Sequence, residues 1–254
     1  MKKKMTPTRA SKVASPPTPT LPRERERGAS TRRGSDSGAR TLVIDVGGNN
    51  VKVALGDQKE PLKVPSGREM TAEKMVADVK EATKHWAYDR VSLGFPGPVK
   101  NGKPAREPVN LSSGWVAMDY EKAFGKPVRI VNDAALQALG NHGGGRMLFL
   151  GLGTGLGTTL VGDEFLHPLE AAHLPYRKGM SFEDYVGERG LVRLGKKKWT
   201  EHVAAVVAIL RDALQVDDVV LGGGQTKKLV ELPPNVRVGR GDAAIVGGVK
   251  LWER

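Results

Sequence analysis

The stretch Thr41–Leu55, TLVIDVGGNNVKVAL, constrains this chain more than any other. An apolar run ends at an acid, Asp45. Two glycines and two asparagines follow, then apolar residues alternate at Val51, Val53 and Leu55. That pattern is a β-hairpin with a tight turn. Glycine at 47 and 48 leaves backbone N–H groups free to face an anion, with no Cβ in the way. Lys52 sits just past the turn, where its ammonium can approach a phosphate. Asp45, at the strand end, can hold Mg2+ through water. An ordinary Gly-Gly hairpin carries the same local signature, so the stretch gains its meaning from what accompanies it.

Its companion is Met147–Val161, MLFLGLGTGLGTTLV, which repeats the plan of strand, glycine-rich turn and strand. Glycine at every second position from 151 to 157 weakens a hairpin unless another group must approach the backbone closely. Between the two lie an edge strand, Pro61–Pro65, and a helix capped by Thr71 and running to about Trp86. That helix places Met75, Val76, Val79, Ala82 and Trp86 on one face. A buried strand from Arg90 enters the rigid turn Phe95-Pro-Gly-Pro98. A second, Val128–Asp133, ends in two polar residues and leads into a short helix, Ala134 to about Asn141. After the second hairpin come a polar loop region over 163–199 and an apolar helix from about Thr200 to Leu214. A strand from Val219 then ends in glycines before Gln225. The C-terminal Asp242–Trp252 reads as a helix in which Gly247 and Gly248 permit close packing. The order of strands and crossover helix predicts an α/β chain with mixed sheets covered by helices. Two halves that each open on a glycine hairpin predict two lobes with a cleft between them.

Composition excludes several classes. Apolar residues make up 39 % of the 254, enough for a packed core, and there is no cysteine for disulfides or a thiolate metal site. No apolar run approaches membrane-spanning length. Met-Lys-Lys-Lys at the start is followed by Thr, Pro and Arg rather than by the apolar stretch of a signal peptide. The expectation is a soluble, cytoplasmic protein with no membrane partner. The net charge of +12 is uneven: residues 1 to 40 hold 11 Lys/Arg against 3 Asp/Glu. The folded part therefore gives no charge argument for specific nucleic-acid binding. Residues 1–39, rich in Pro, Ser, Thr, Arg and Gly, read as a disordered basic tail: a solvated extension, or an arm for polyanions.

The ordered set Ile44-Asp-Val-Gly-Gly48, Asn132-Asp-Ala134 and Gly153-Thr-Gly-Leu-Gly157 resembles the sugar kinases of the ROK family. That family has the two-lobed ribonuclease H-like (actin/hexokinase-type) ATPase fold, and the resemblance covers roughly residues 41 to 253. Within it the chain most resembles the polyphosphate glucokinases. The resemblance implies an N-terminal lobe over 40–134, a C-terminal lobe over 135–240, and a C-terminal helix over 241–254 packing back on the N-terminal lobe. It implies that Asp45, Gly47, Gly48, Asn49 and Lys52 form a first phosphate loop, and that Gly151, Gly153, Thr154, Gly155 and Gly157 form a second. Gly222, Gly223 and Gly224 match the adenosine-side loop, although a strand ending in glycines is common. Asp133 matches the catalytic base, a carboxylate that takes the proton of a sugar hydroxyl as the phosphoryl group transfers. It is also well placed to cap the following helix, and both roles can coexist. For the sugar, Asn110 resembles the residue of the Asn-Leu-x-x-Trp segment, Asn132 precedes the base, and Glu170 and His173 match a Glu-x-x-His element. Glu183 resembles the glutamate that closes the pocket.

Many ROK members carry a structural zinc held by histidine and cysteines. With no cysteine that site is not expected here, and Ala172 replaces the usual glycine before the histidine. The resemblance implies a glucokinase-type hexose kinase using Mg2+ and either ATP or polyphosphate, with glucose as the default acceptor, in a homodimer. A longer anionic donor would need a basic track. Arg177, Lys178 and Lys196-Lys-Lys198 can supply one, or can be a solvated basic face. The alternative is a non-catalytic ROK-type sugar sensor and regulator, although the polar tail lacks a helix-turn-helix pattern.

Overall fold

A computed structural model describes residues 38–254; the tail expected over 1–39 lies almost wholly outside the described residues. The first half begins with β1 (Thr41–Val46), β2 (Asn50–Leu55), β3 (Leu62–Pro65) and α1 (Ala72–Ala82). It continues with β4 (Arg90–Phe95), the small hairpin β5 (Val99–Lys100) and β6 (Lys103–Pro104), and α2 (Tyr120–Phe124). It closes with β7 (Val128–Asn132) and α3 (Asp133–Asn141). The second half runs β8 (Met147–Leu152), β9 (Leu156–Val161), β10 (Leu166–Leu169), the hairpin β11 (Pro175–Arg177) and β12 (Met180–Ser181), and α4 (Phe182–Val186). It ends with α5 (Glu188–Leu214), β13 (Asp218–Gly222), β14 (Arg237–Val238) and α6 (Ala243–Lys250).

Two five-stranded sheets result, in the orders β3-β2-β1-β4-β7 and β10-β9-β8-β13-β14. They share one plan. A central strand pairs antiparallel with the next strand on one side and parallel with a crossover strand on the other.

Period-2 alternation sorts each central strand into two faces. In β1, Leu42, Ile44 and Val46 join Met75, Val76 and Val79 of α1 in one core, while Val43 faces Leu136 and Leu139 of α3. In β8, Leu148, Leu150 and Leu152 pack on Val203, Val206 and Leu210 of α5. Met147 and Phe149, on the other face, meet Ala134 and Ala138 of α3. Helix α3 therefore lies between the sheets, its alanines on the second and its leucines on the first. α6 joins it there: Ser92 Oγ of β4 donates to Gly248 O at 2.6 Å, and Trp252 Nε1 donates back to Ser92 Oγ at 2.8 Å.

Several boundaries differ from expectation. α1 stops at Ala82, four residues before Trp86, and Thr83 Oγ1 donates to Val79 O at its end. The polar loop expected over 163–199 holds β10 to β12, α4 and the first turns of α5. Its amphipathic signal is short: Phe182, Tyr185 and Val186 are buried within a charged surround. α5 starts at Glu188 and breaks at Gly195 (φ 73°, ψ 161°) before resuming at the expected apolar segment.

Candidate active site

Alternation along β1 puts Asp45 on the same face as Val43, toward α3. It also pairs Asp45 in register with Lys52 of β2 and Gly94 of β4. Asp45 is 6 % exposed, and Lys52 Nζ donates to its Oδ2 at 3.3 Å. β7 delivers Asn132 and Asp133 to the same face at the end of the sheet. A Cβ on Gly94 would lie 3.4 Å from Asp45 Oδ1 and 3.5 Å from Asp133 Cα, so the bare backbone there lets the two acids flank one point.

The helix cap belongs to Asn132, which corrects the capping role expected of Asp133. Asn132 Oδ1 accepts from the Ala134 and Ala135 amides at 3.0 and 3.2 Å, and its Nδ2 donates to Gly97 O at 3.1 Å. Asp133 is the first helical residue, and its Oδ1 accepts from the Ala134 amide at 2.8 Å. The division frees the rest of the Asp133 carboxyl for another partner. Burial pushes Asp133 up to about 7, with the nearby Asp45 charge adding to the rise and the Ala134 amide and Lys52 opposing it. Burial also raises Asp45, against the pull of Lys52. Two acids in one low-dielectric site resist ionising together, and here the rise has a clear electrostatic cause.

The first glycine turn is pinned from β3. Gly47 N donates to Asn50 O at 3.0 Å, Ser66 Oγ to Gly47 O at 2.6 Å, and Ser66 N to Asn49 O at 3.1 Å. Asn110 stands beside this turn, its Cβ 3.8 Å from where a Cβ on Gly48 would be. The Asn110–Trp115 segment is shaped by Glu107, whose carboxylate accepts from the Trp115 and Val116 amides at 3.0 and 3.2 Å. Trp115 itself is fully buried against Phe95, with ring centroids 5.9 Å apart.

The second hairpin meets the start of α3 from the other sheet, through Gly157 of β9. Gly151 pairs in register with Gly157 and Gly222. A Cβ on Gly157 would come within 2.8 Å of Ala134 Cβ, next to Asp133. Gly153 N donates to Gly155 O at 3.1 Å across the turn, and Thr154 O accepts from the Glu188 amide at 3.2 Å. Gly223 (φ 84°) packs on the Leu152 backbone, where a Cβ would lie 2.2 Å from Leu152 O, so the third glycine segment abuts the second. Gly224 follows it, opening the 3-10 turn Gly224–Lys228.

Glu170 and His173 pair with each other at 3.5 Å on the surface, their side chains 69 % and 71 % exposed. Glu183 is engaged by the second turn, its Oε2 accepting from the Leu156 amide at 3.0 Å. Arg177 lies over the Tyr176 ring, and Lys196–Lys198 follow the Gly195 break.

A cavity of about 60 Å³ opens beside Asp45 and Lys52, bounded by Gln137 of α3 and by residues 240–245 at the start of α6. A larger groove of about 510 Å³, along α1 and Met118, contains none of these residues. Sequence reasoning missed Ser66, Gly94 and Glu107. They act through backbone and register across long separations, which no local motif announces.

Comparisons with known proteins come to the same place. The ROK family model matches residues 41–168. The polyphosphate glucokinase of Mycobacterium leprae (strain TN) is 24 % identical over 219 residues, a match covering 77 % of this chain and 66 % of that protein, just under two thirds of its length. The polyphosphate glucokinase of Mycobacterium tuberculosis (strain ATCC 25618 / H37Rv) is 26 % identical over 212 residues, covering 73 % of this chain and 77 % of that one. Among solved structures, the inorganic polyphosphate/ATP-glucomannokinase from Arthrobacter sp. strain KM has a TM-score of 0.70 at 23 % identity, over 84 % of this chain and 98 % of that one. The ROK family glucokinase from Streptomyces griseus, in complex with glucose and AMPPNP, has a TM-score of 0.64 at 19 % identity, over 84 % and 98 % of the two chains. At these identities the structural likeness shows the shared fold.

Proposed function

The chain is a member of the ROK family, and on that premise we propose that it is a hexose kinase of the glucokinase type. It transfers a phosphoryl group from ATP or polyphosphate to the 6-hydroxyl of a sugar, glucose being the first candidate. The observation that carries the proposal is the placement of Asp133. It opens α3 beside Asp45 and next to Ala134, which meets Gly157 of the second hairpin, with its proton affinity brought to about neutral. A base is most effective when its pKa lies near the working pH.

In the proposed reaction Asp133 accepts the proton of the sugar hydroxyl. The sugar oxygen forms a bond to the terminal phosphorus, and the bond from phosphorus to the bridging oxygen breaks, its electron pair leaving with the remaining donor. The amides of the two turns and the Lys52 ammonium stabilise charge on the phosphoryl oxygens. Among the described residues no group of three or more His, Cys, Asp or Glu is disposed to hold a metal by itself. A single buried carboxylate beside a phosphate turn suits Mg2+, which binds through one or two carboxylates together with substrate phosphates and water. Asp45 is the residue that would hold it, and its chemistry there is neutralisation of donor charge. Asn110 beside the first turn and Asn132 beside the base are the sugar contacts favoured by their positions. Glu170, His173 and Glu183 would complete the pocket on closure of the lobes.

The relatives' printed names make both donors candidates, and one assay separates them. Glucose phosphorylation measured in parallel with ATP and with polyphosphate identifies the donor, and absence of product with both removes the kinase reading. Asp133→Asn is expected to lower kcat by about 10²–10⁴-fold. Undiminished turnover would remove Asp133 as the base.

A further inference from the structure

Glu183 is an acid of the predicted set whose carboxylate contacts the second glycine turn directly. Its Oε2 accepts from the Leu156 amide at 3.0 Å, and a Cβ on Gly155 would fall 2.3 Å from the same oxygen. The contact is built rather than incidental. α4, which carries Glu183, starts with a complete capping box between Ser181 and Asp184. At the far end of α4 the Gly187 amide donates to Glu183 O at 2.8 Å, and the next amide, of Glu188, donates to Thr154 O in the turn. Side chain and backbone of one short segment thus grip both sides of the Thr154–Leu156 tip.

The same segment faces the other way as well. The Phe182 amide donates to Leu174 O at 3.0 Å, which sets the first turn of α4 against the segment carrying Glu170 and His173. Glu183 is thus carried on a helix that packs against both that segment and the second turn. A carboxylate and a phosphate cannot share one amide donor, and their like charges repel.

We propose that Glu183 is a latch on the second glycine turn, holding the Leu156 amide until the acceptor sugar draws the carboxylate away. This rests on the kinase reading above and adds an order of events to it. The acceptor supplies hydroxyl donors that replace the lost N–H bond, the turn is vacated, and the donor phosphate seats. Donor without acceptor meets a negatively charged, occupied turn, so hydrolysis without a sugar is suppressed. The coupling is reciprocal: whatever the sugar adds to donor affinity, the donor adds to sugar affinity.

The test is calorimetric titration of AMPPNP and of short-chain polyphosphate, each with Mg2+, into the full chain with and without glucose. Wild type should bind donor about fivefold or more tightly when glucose is present. In Glu183→Gln and Glu183→Ala, sugar-free donor affinity should rise toward the glucose-bound value of wild type, and the dependence on glucose should shrink. Sugar-independent hydrolysis of ATP should rise in parallel. Glu183→Gln keeps an acceptor oxygen for the Leu156 amide and removes only the charge, so its rise should be smaller than that of Glu183→Ala, and it carries the test through the charge if the alanine variant does not fold. Sugar-free affinities equal to or weaker than wild type would make Glu183 a brace and overturn the latch. Wild type that phosphorylates sugar while its donor affinity ignores glucose overturns the latch alone. Wild type that neither binds donor nor phosphorylates sugar overturns the kinase reading beneath it.

Discussion

Asp133 owes its chemistry to two neighbours that are distant in sequence. Burial and the Asp45 carboxylate raise it, so the proposed base is ionised only at and above about neutral pH. The acid limb of kcat/KM against pH should therefore fall as pH drops through about 7, and Asp45→Asn should move that limb to lower pH by removing one cause of the rise. A limb that stays in place would separate the two acids. The same shift predicts a stability effect. Below the ordinary carboxylate value of 3.8 both folded and unfolded states hold the proton, and Asp133 costs nothing. Between there and about 7 the unfolded chain ionises first, so stability falls as pH rises; above about 7 the cost is constant. Asp133→Asn should accordingly be more stable than wild type at pH about 8, by up to about 4 kcal/mol, with the gain vanishing toward pH about 4. Denaturant titrations at the two pH values read it. The proposed base was legible from its motif, but its near-neutral proton affinity was not, because that depends on its burial and on Asp45 lying beside it across two strands.

At the scale of elements, the crossing of α3 and α6 decides whether the site can form. A Cβ on Gly247 would lie 1.8 Å from Leu136 O, and one on Gly140 would lie 1.8 Å from Ala243 O. These are backbone atoms that no rotamer change relieves. Gly247→Ala should cost about 3 kcal/mol or more, at the upper end of overpacking effects, and appear as a lowered Tm. Gly94→Ala is a different case. Its nearest obstacle is the flexible Leu136 Cδ2 at 2.9 Å, with Asp45 Oδ1 and Asp133 Cα just beyond. It should lose little stability, about 1–2 kcal/mol, and far more kcat, because it spreads the two acids. The two glycine hairpins and the strands β3, β4, β7 and β13 were readable because alternation and glycine turns are local signals. The short strands β5, β6, β10 to β12 and β14 were not, nor were α2, α4 and the first turns of α5. α2 and α4 are each five residues long, and α5 begins with exposed charge up to Gly195, so their apolar faces show only against the sheets.

At the scale of the molecule, two sheets of one plan share the helices between them. Val43, Leu136 and Leu139 make one core, and Ala134, Ala138 and Phe149 another on the opposite side of the same helix. A lobe boundary at 134–135 falls inside α3, so neither sheet keeps its inner face covered without it. The two halves should therefore unfold together. Far-UV circular dichroism and the fluorescence of Trp115 and Trp199, fully buried in separate cores, should follow one denaturant transition. Transitions at two concentrations would show independent lobes. The amino-acid sequence alone determined the two hairpins, their glycine turns, the acids at the strand ends and the kinship they carry, since each is written in neighbouring residues. The tertiary structure alone decided that Asp45 and Asp133 lie beside each other and that Glu183 grips the second glycine turn. Those are distances between residues far apart in the chain, set by which faces the sheets and helices bury.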